Sequence, residues 1–223
     1  MHIPALLQFL VELHDNNTKS WFLHNKPHYD ILRSEFVELV ADVSNRIQQF
    51  DVELGPVDAK KALFRIYRDV RFTKDKAPFK NHMGAVIGAR TTDKTKPVYY
   101  FHVDHKGALL VACGMYTPDK ESHKKIRDAL VAQPKKFNAA IHDKTFIKVY
   151  GGLSDENRMT RPPKGYANDL ALIEHIKNRH FICVISASLA NKPPKNVAAW
   201  IASQCKAAYP LVKWLRDVTS VKP

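Results

Sequence analysis

Cysteine is scarce in this chain, and its three copies, Cys113, Cys183 and Cys205, lie far apart with no CxxC spacing. This argues against a disulfide frame or a zinc site and points to buried thiols in a reducing compartment. Long apolar runs are also missing, since no uncharged stretch approaches the roughly 18 residues that a membrane span needs. The apolar start, Met1 to Leu13, has no basic leading segment or small-residue cleavage site and contains Gln8 and Glu12. It therefore does not read as a targeting signal, and the cytoplasm is the expected location. No GxSxG, P-loop, GxGxxG or HExxH pattern occurs, so no motif announces a nucleophile, a nucleotide cradle or a catalytic metal, and no cofactor is expected. No repeat, low-complexity run or long linker divides the 223 residues, and their 45% apolar content suits one globular domain over residues 1–223.

Acidic residues are the other shortage: 22 against 35 Lys and Arg, a formal charge of +13. Such a balance points to anionic partners, whether nucleic acid, phosphorylated metabolites or an acidic membrane surface, against the alternative that the lysines only keep the protein solvated. The excess is concentrated. Between Lys60 and Lys80 stand eight basic side chains and two acids, Asp69 and Asp75. They alternate with Phe64, Ile66, Tyr67, Phe72 and Phe79, so the segment is anchored and is not a simple solvated tail.

Apolar spacing predicts a helix through Leu6, Leu10 and Leu13, a short second helix capped by Thr18 and carrying Trp21 and Phe22, and a long third from about Pro27 to Phe50. Ala62 to Arg68 and roughly Met83 to Ala89 read as strands, with Asp69 to Lys80 as the loop between them. Val98 to Asp104 and Ala108 to Met115 form the clearest hairpin, turning at His105-Lys106-Gly107 and setting Val103 opposite Leu109 and Phe101 opposite Val111. Thr117-Pro118-Asp119 starts a helix, a shorter one covers Lys135 to His142, Phe146 to Tyr150 reads as a strand, Asp169 to Lys177 as helix and Phe181 to Ser186 as strand. The tail from Lys195 is helical, with Trp200 and Trp214 inward and Pro210 as a bend or break. The expected class is α+β: an antiparallel sheet of about five to six strands flanked by N-terminal and C-terminal helices.

Several motifs together resemble a known family. Trp21-Phe22 after an Asn-Asn turn, RIYRDVRFTKDKAPFK from Arg65, GMYTP from Gly114, RPPKGY from Arg161 and AAYPLVKWL from Ala207 are similar to the bacterial and fungal family catalogued as domain of unknown function 2461. The resemblance spans almost the whole chain; it implies a single intact domain and brings no established activity. Two departures are visible. After Tyr166 the family typically runs on to an acidic residue and a His-Pro pair, where this chain has Ala167 to Ala171 with Asp169 as the nearby acid. A Lys-Phe pair that the family tends to carry reads His180-Phe181 here.

Arg grips phosphate or carboxylate with a planar fork and Lys acts as a point charge. Arg65, Arg68, Arg71, Lys76 and Lys80 are accordingly candidate anion ligands, and Arg161, Lys164 and Tyr166 are equally an opposite wall of the same cleft or a rigid turn whose basic residues face water. The competing reading is structural: Asp69 and Asp75 pair with neighbouring cations and fix an irregular loop. His82, His102, Asp69 and Asp75 are weak acid–base candidates, and no metal site is expected. The favoured function is binding of a phosphorylated or otherwise anionic small ligand in a basic cleft. The alternatives are an enzyme, hydrolase or transferase, acting on such a ligand, and a nucleic-acid-binding protein. The last would want a broad basic stripe with exposed aromatics, whereas the charge here sits in one loop that also holds acids.

Overall fold

The computed structural model describes residues 1–71, 73–88 and 93–220; Phe72 and Ala89, read above as a loop anchor and a strand end, fall outside them. The chain is α+β. In order, it forms α1 (Ile3–Asp15), α2 (Lys19–Gln48), a 3-10 turn, α3 (Ala59–Ala62), β1 (His82–Ile87), β2 (Val98–Asp104), β3 (Ala108–Met115), α4 (Lys120–Ala132), α5 (Pro134–Ile141), α6 (Lys144–Tyr150), α7 (Ile173–Ile176), β4 (Phe181–Ser188) and α8 (Val197–Ser220). The described strands make one four-stranded antiparallel sheet in the order β1-β2-β3-β4.

Four strands replace the expected five to six, and local caps explain both losses. The Asp58 carboxylate accepts from the Lys60 and Lys61 amides and draws the chain into α3 through Ala62. Beyond it, Leu63 and Tyr67 make only isolated antiparallel bridges, to Ala85 and Phe79. Pro78 has no N–H with which to extend that ladder. Phe146 to Tyr150 is helix, because Asp143 accepts from the amides of Thr145 and Phe146 and Gly151 ends the turn at φ 69°.

The two expected N-terminal segments after Thr18 are one continuous helix. Thr18 Oγ1 accepts from the Trp21 amide and caps it. Pro27 removes one rung, but Phe22 and Tyr29 pack across it with ring centroids 5.1 Å apart. α8 likewise runs unbroken past Pro210. In both cases burial of an apolar face outweighs the loss of a hydrogen bond.

The hairpin alternates as its sequence demands: Tyr99, Phe101, Val103, Leu109, Val111 and Cys113 are all buried. Gly107 takes φ 77° at the turn, its N–H donates to the Asp104 carbonyl at 3.0 Å, and Asp104 Oδ1 accepts from the amides of Lys106 and Ala108.

The residues group into two compact units. The first comprises 1–87, 100–111 and 186–202. Its core is built on Leu6, Phe9, Leu10 and Leu13 of α1 and Phe36, Val40, Val43 and Ile47 of α2, with Phe36 stacked on Phe101 at 5.7 Å. The second comprises the described residues within 88–99, 112–185 and 203–220. Ile126 and Leu130 of α4, Phe137, Phe146, Ile176, Phe181 and Leu211 fill its interior, and Trp214 packs on Phe137 at 4.8 Å. Trp214 is buried as expected; Trp200 is only half-buried. All three cysteines are buried and unbridged. They meet inside the second unit, where Cys183 Sγ lies 3.7 Å from the Cys113 carbonyl and Cys113 Sγ 4.0 Å from the Tyr150 hydroxyl.

In that second unit Gly114 sits at φ 123°, and a Cβ there would lie 2.1 Å from the Phe181 carbonyl oxygen. Neither the backbone angle nor the space admits a side chain. Gly114→Ala should therefore destabilise the protein by about 3 kcal/mol, the scale of a strained backbone plus a forced shift of the neighbouring strand. Urea denaturation measures it. A midpoint equal to wild type would mean that β3 and β4 do not approach this closely.

Candidate functional site

The cationic segment lies in the first unit and is tied to it from both sides. Asn17 holds Phe79 with two hydrogen bonds, its amide donating to the Phe79 carbonyl and its oxygen accepting the Phe79 N–H, each at 3.0 Å. Phe79 stacks on Phe22 at 4.1 Å, and Tyr67 packs against both rings. The aromatics thus anchor the loop, as their spacing implies.

Its charges are largely spoken for. Arg71 grips Asp69 with two side-chain bonds, of 2.9 and 2.7 Å, which hold the Asp69 carboxyl at about 2, well below the usual carboxylate range. Arg68 donates to Asp75, whose other oxygen accepts from the Ala77 amide. Lys76 Nζ reaches the Val70 carbonyl at 3.0 Å, and Lys80 Nζ the Arg65 carbonyl at 2.7 Å. Burial, together with the nearby Arg65 charge, depresses the Lys80 pKa. Arg65 and Arg71 are exposed. The structure therefore joins Arg68 to Asp75 and Arg71 to Asp69 and sets Arg65 close to Lys80.

Beside this loop the outward face of β1 and β2 carries a small aromatic–imidazole cluster. His82 and His102 lie 5.1 Å apart between centroids, and His102 Nδ1 is 2.9 Å from the Tyr100 hydroxyl. Burial, then the neighbouring His102 and Lys80, lower the His82 pKa to about 4, against an opposing pull from Asp104. Burial likewise lowers His102 and pushes Tyr100 up to about 12. Among the described residues no group of three or more His, Cys, Asp or Glu is arranged to hold a metal ion.

Arg161, Lys164 and Tyr166 belong to the second unit. Arg161 and Lys164 are exposed, while Tyr166 is half-buried and donates to Asp128 of α4 at 2.7 Å. Burial and that carboxylate raise its pKa to about 12. RPPKGY therefore docks on α4. Near that contact an open cleft of about 460 Å³ is lined by Thr117, Pro118, His123, Arg127, Met159, Arg179 and His180. Two arginines and two histidines converge there, and none of the seven lining residues is acidic.

Each side chain of the cleft has a local reason for its place. Asp119 caps α4 by accepting from the Ser122 amide at 2.7 Å, which sets the helix running with His123 and Arg127, four residues apart, on one face. The Arg127 guanidinium donates to the Ile176 carbonyl at 2.9 Å and the Asn178 carbonyl at 3.2 Å, satisfying backbone oxygens left over at the end of α7. His123 Nε2 donates to the Arg179 carbonyl at 3.0 Å. His180 Nδ1 donates to the Tyr116 carbonyl, and its ring stacks on the Tyr116 ring at 4.3 Å, 5° from parallel. Burial lowers the pKa of both histidines, helped by Arg127 at His123; at His180 the Glu156 carboxylate opposes the shift and Arg179 adds to it.

Sequence reading singled out Tyr166 and noted His180 only as a departure from a pattern; it passed over His123, Arg127 and Arg179. Two signals pointed this way. Thr117 and Pro118 end the GMYTP motif, and His123 and Arg127 have the i, i+4 spacing of one helical face.

The depressed imidazoles make stability fall with acid. Unfolded His82 takes up a proton near pH 6.5, whereas folded His82 stays neutral to about 4. Between those values the unfolded chain binds more protons, so stability drops as pH falls through that window. His82→Gln should flatten the loss of urea midpoint between pH 7 and pH 5. An unchanged slope would place His82 in water.

The family model described as a conserved hypothetical protein (DUF2461) matches residues 5–214. No curated protein and no solved structure matches the chain. The match takes in the first four motifs noted above, the last one as far as Trp214, and residues of both units, and the chain belongs to this conserved hypothetical family.

Proposed function

We propose that the protein binds a phosphorylated or otherwise anionic small ligand in the α4 cleft, with Arg127 and Arg179 as its principal cations. The observation that carries this reading is the composition of the wall: two guanidinium groups and two imidazoles converge without an acid among the lining residues. Arg127 supports it further, because its bonds to two backbone carbonyls hold the guanidinium in one orientation before any ligand arrives. The loop at 64–80 is a weaker candidate, since Arg68 and Arg71 already have carboxylate partners there. His123 and His180 stand in the cleft as groups able to exchange protons, so a turnover assay on any ligand found separates a binder from a hydrolase or transferase.

Isothermal titration at low salt with orthophosphate, phosphorylated metabolites and a short oligonucleotide tests the proposal. Arg179 is exposed and can be removed without touching the core. Arg179→Ala should weaken binding of a phosphorylated probe about tenfold, the scale of one charge-assisted hydrogen bond, and leave the melting temperature unchanged. Affinity unaltered by Arg179→Ala, or binding confined to the oligonucleotide, would overturn it.

A further inference from the structure

We infer that the ligand carries a planar aromatic ring beside its anionic group, as a nucleoside monophosphate does, and that Tyr116 is the platform on which that ring stacks. The inference rests on the anion-binding reading of the same cleft. Tyr116 is 54% exposed. It is nevertheless held in place. The His180 ring lies parallel to it at 4.3 Å, and His180 Nδ1 donates to the Tyr116 carbonyl, so the imidazole grips both the ring and the backbone of the same residue. Its ring is already ordered for a ligand, and a stack on it costs little conformational freedom.

The cleft itself fits an organic anion better than a bare one. Its volume of about 460 Å³ falls in the range of small-molecule and cofactor sites and far exceeds what orthophosphate fills. Pro118 and Met159 add apolar surface to the cationic wall. Tyr116 is not itself a lining residue, but Thr117 and Pro118, which follow it directly, and His180, on which its ring stacks, all line the cleft, so the platform adjoins it. A phosphate against the arginines and a base on the tyrosine use both halves of the surface. Stacking tolerates any base, because every base has a π face, so the reading specifies the class nucleoside monophosphate and not one base.

Titration of the full chain with orthophosphate, ribose 5-phosphate and adenosine 5′-monophosphate separates the two claims. Wild type should bind the nucleotide about tenfold more tightly than ribose 5-phosphate, the lower range of measured base–aromatic stacking. Tyr116→Ala should abolish that ratio while leaving ribose 5-phosphate affinity unchanged, and Tyr116→Phe should keep it. Equal affinity of the two phosphates for wild type, or a ratio that survives Tyr116→Ala, would overturn the ring inference alone. No binding of either phosphate would overturn the anion site with it. Affinity that climbs steadily with oligonucleotide length would replace the small-molecule ligand by a nucleic-acid strand.

Discussion

The second unit hangs on the approach of two backbones. Gly114 lies so close to the Phe181 carbonyl that no Cβ fits between them. With the β3–β4 ladder, this contact sets the end of β3 beside the start of β4, and four of the seven cleft residues, Thr117, Pro118, Arg179 and His180, adjoin those two ends. Tyr116, Thr117 and Pro118 follow Gly114 in the chain; Arg179 and His180 precede Phe181. The His180 bond to the Tyr116 carbonyl and the His123 bond to the Arg179 carbonyl then close the space across which the two segments face each other. The glycine of the GMYTP pentapeptide thus has a concrete physical task. It admits a backbone where any side chain would force the strands apart.

Charge density and charge availability turn out to be different properties. The segment from Lys60 to Lys80 holds the densest positive charge in the sequence. Yet Asp69 sits bidentate on Arg71, and Asp75 accepts from Arg68. Each such exposed pair stabilises by only about 0–1 kcal/mol, but together the acids lower the local potential and give an irregular loop a fixed course. An incoming anion would meet two carboxylates there. The α4 cleft has fewer cations and no acid in its lining, which is the better arrangement for an anion even though the sequence draws the eye elsewhere.

The class of the fold and its hairpin were legible because burial there follows period and register: Tyr99, Phe101 and Val103 against Leu109, Val111 and Cys113 leave no other pairing with an apolar face. What misled was short and local. Asp143 caps a helix three residues before a segment whose composition reads as strand, and Asp58, four residues before the other, draws its first residue into α3 and leaves the rest with isolated bridges only. Pro27 and Pro210 read as breaks, but each helix buries enough apolar surface on both sides to run through. The site was half legible. Tyr166 is in contact with α4, while His123, Arg127 and Arg179 belong to segments that only folding brings together, and no spacing in the sequence links position 127 to position 179.

Where an anion goes on the protein is read residue by residue from amide chemical shifts. Orthophosphate titrated into isotopically labelled protein should move the amides of Thr117, His123, Arg127, Arg179 and His180 together, with one shared saturation curve. Shifts that instead gather between Arg65 and Lys80, with the α4 cleft silent, would contradict the account and return the anion to the loop.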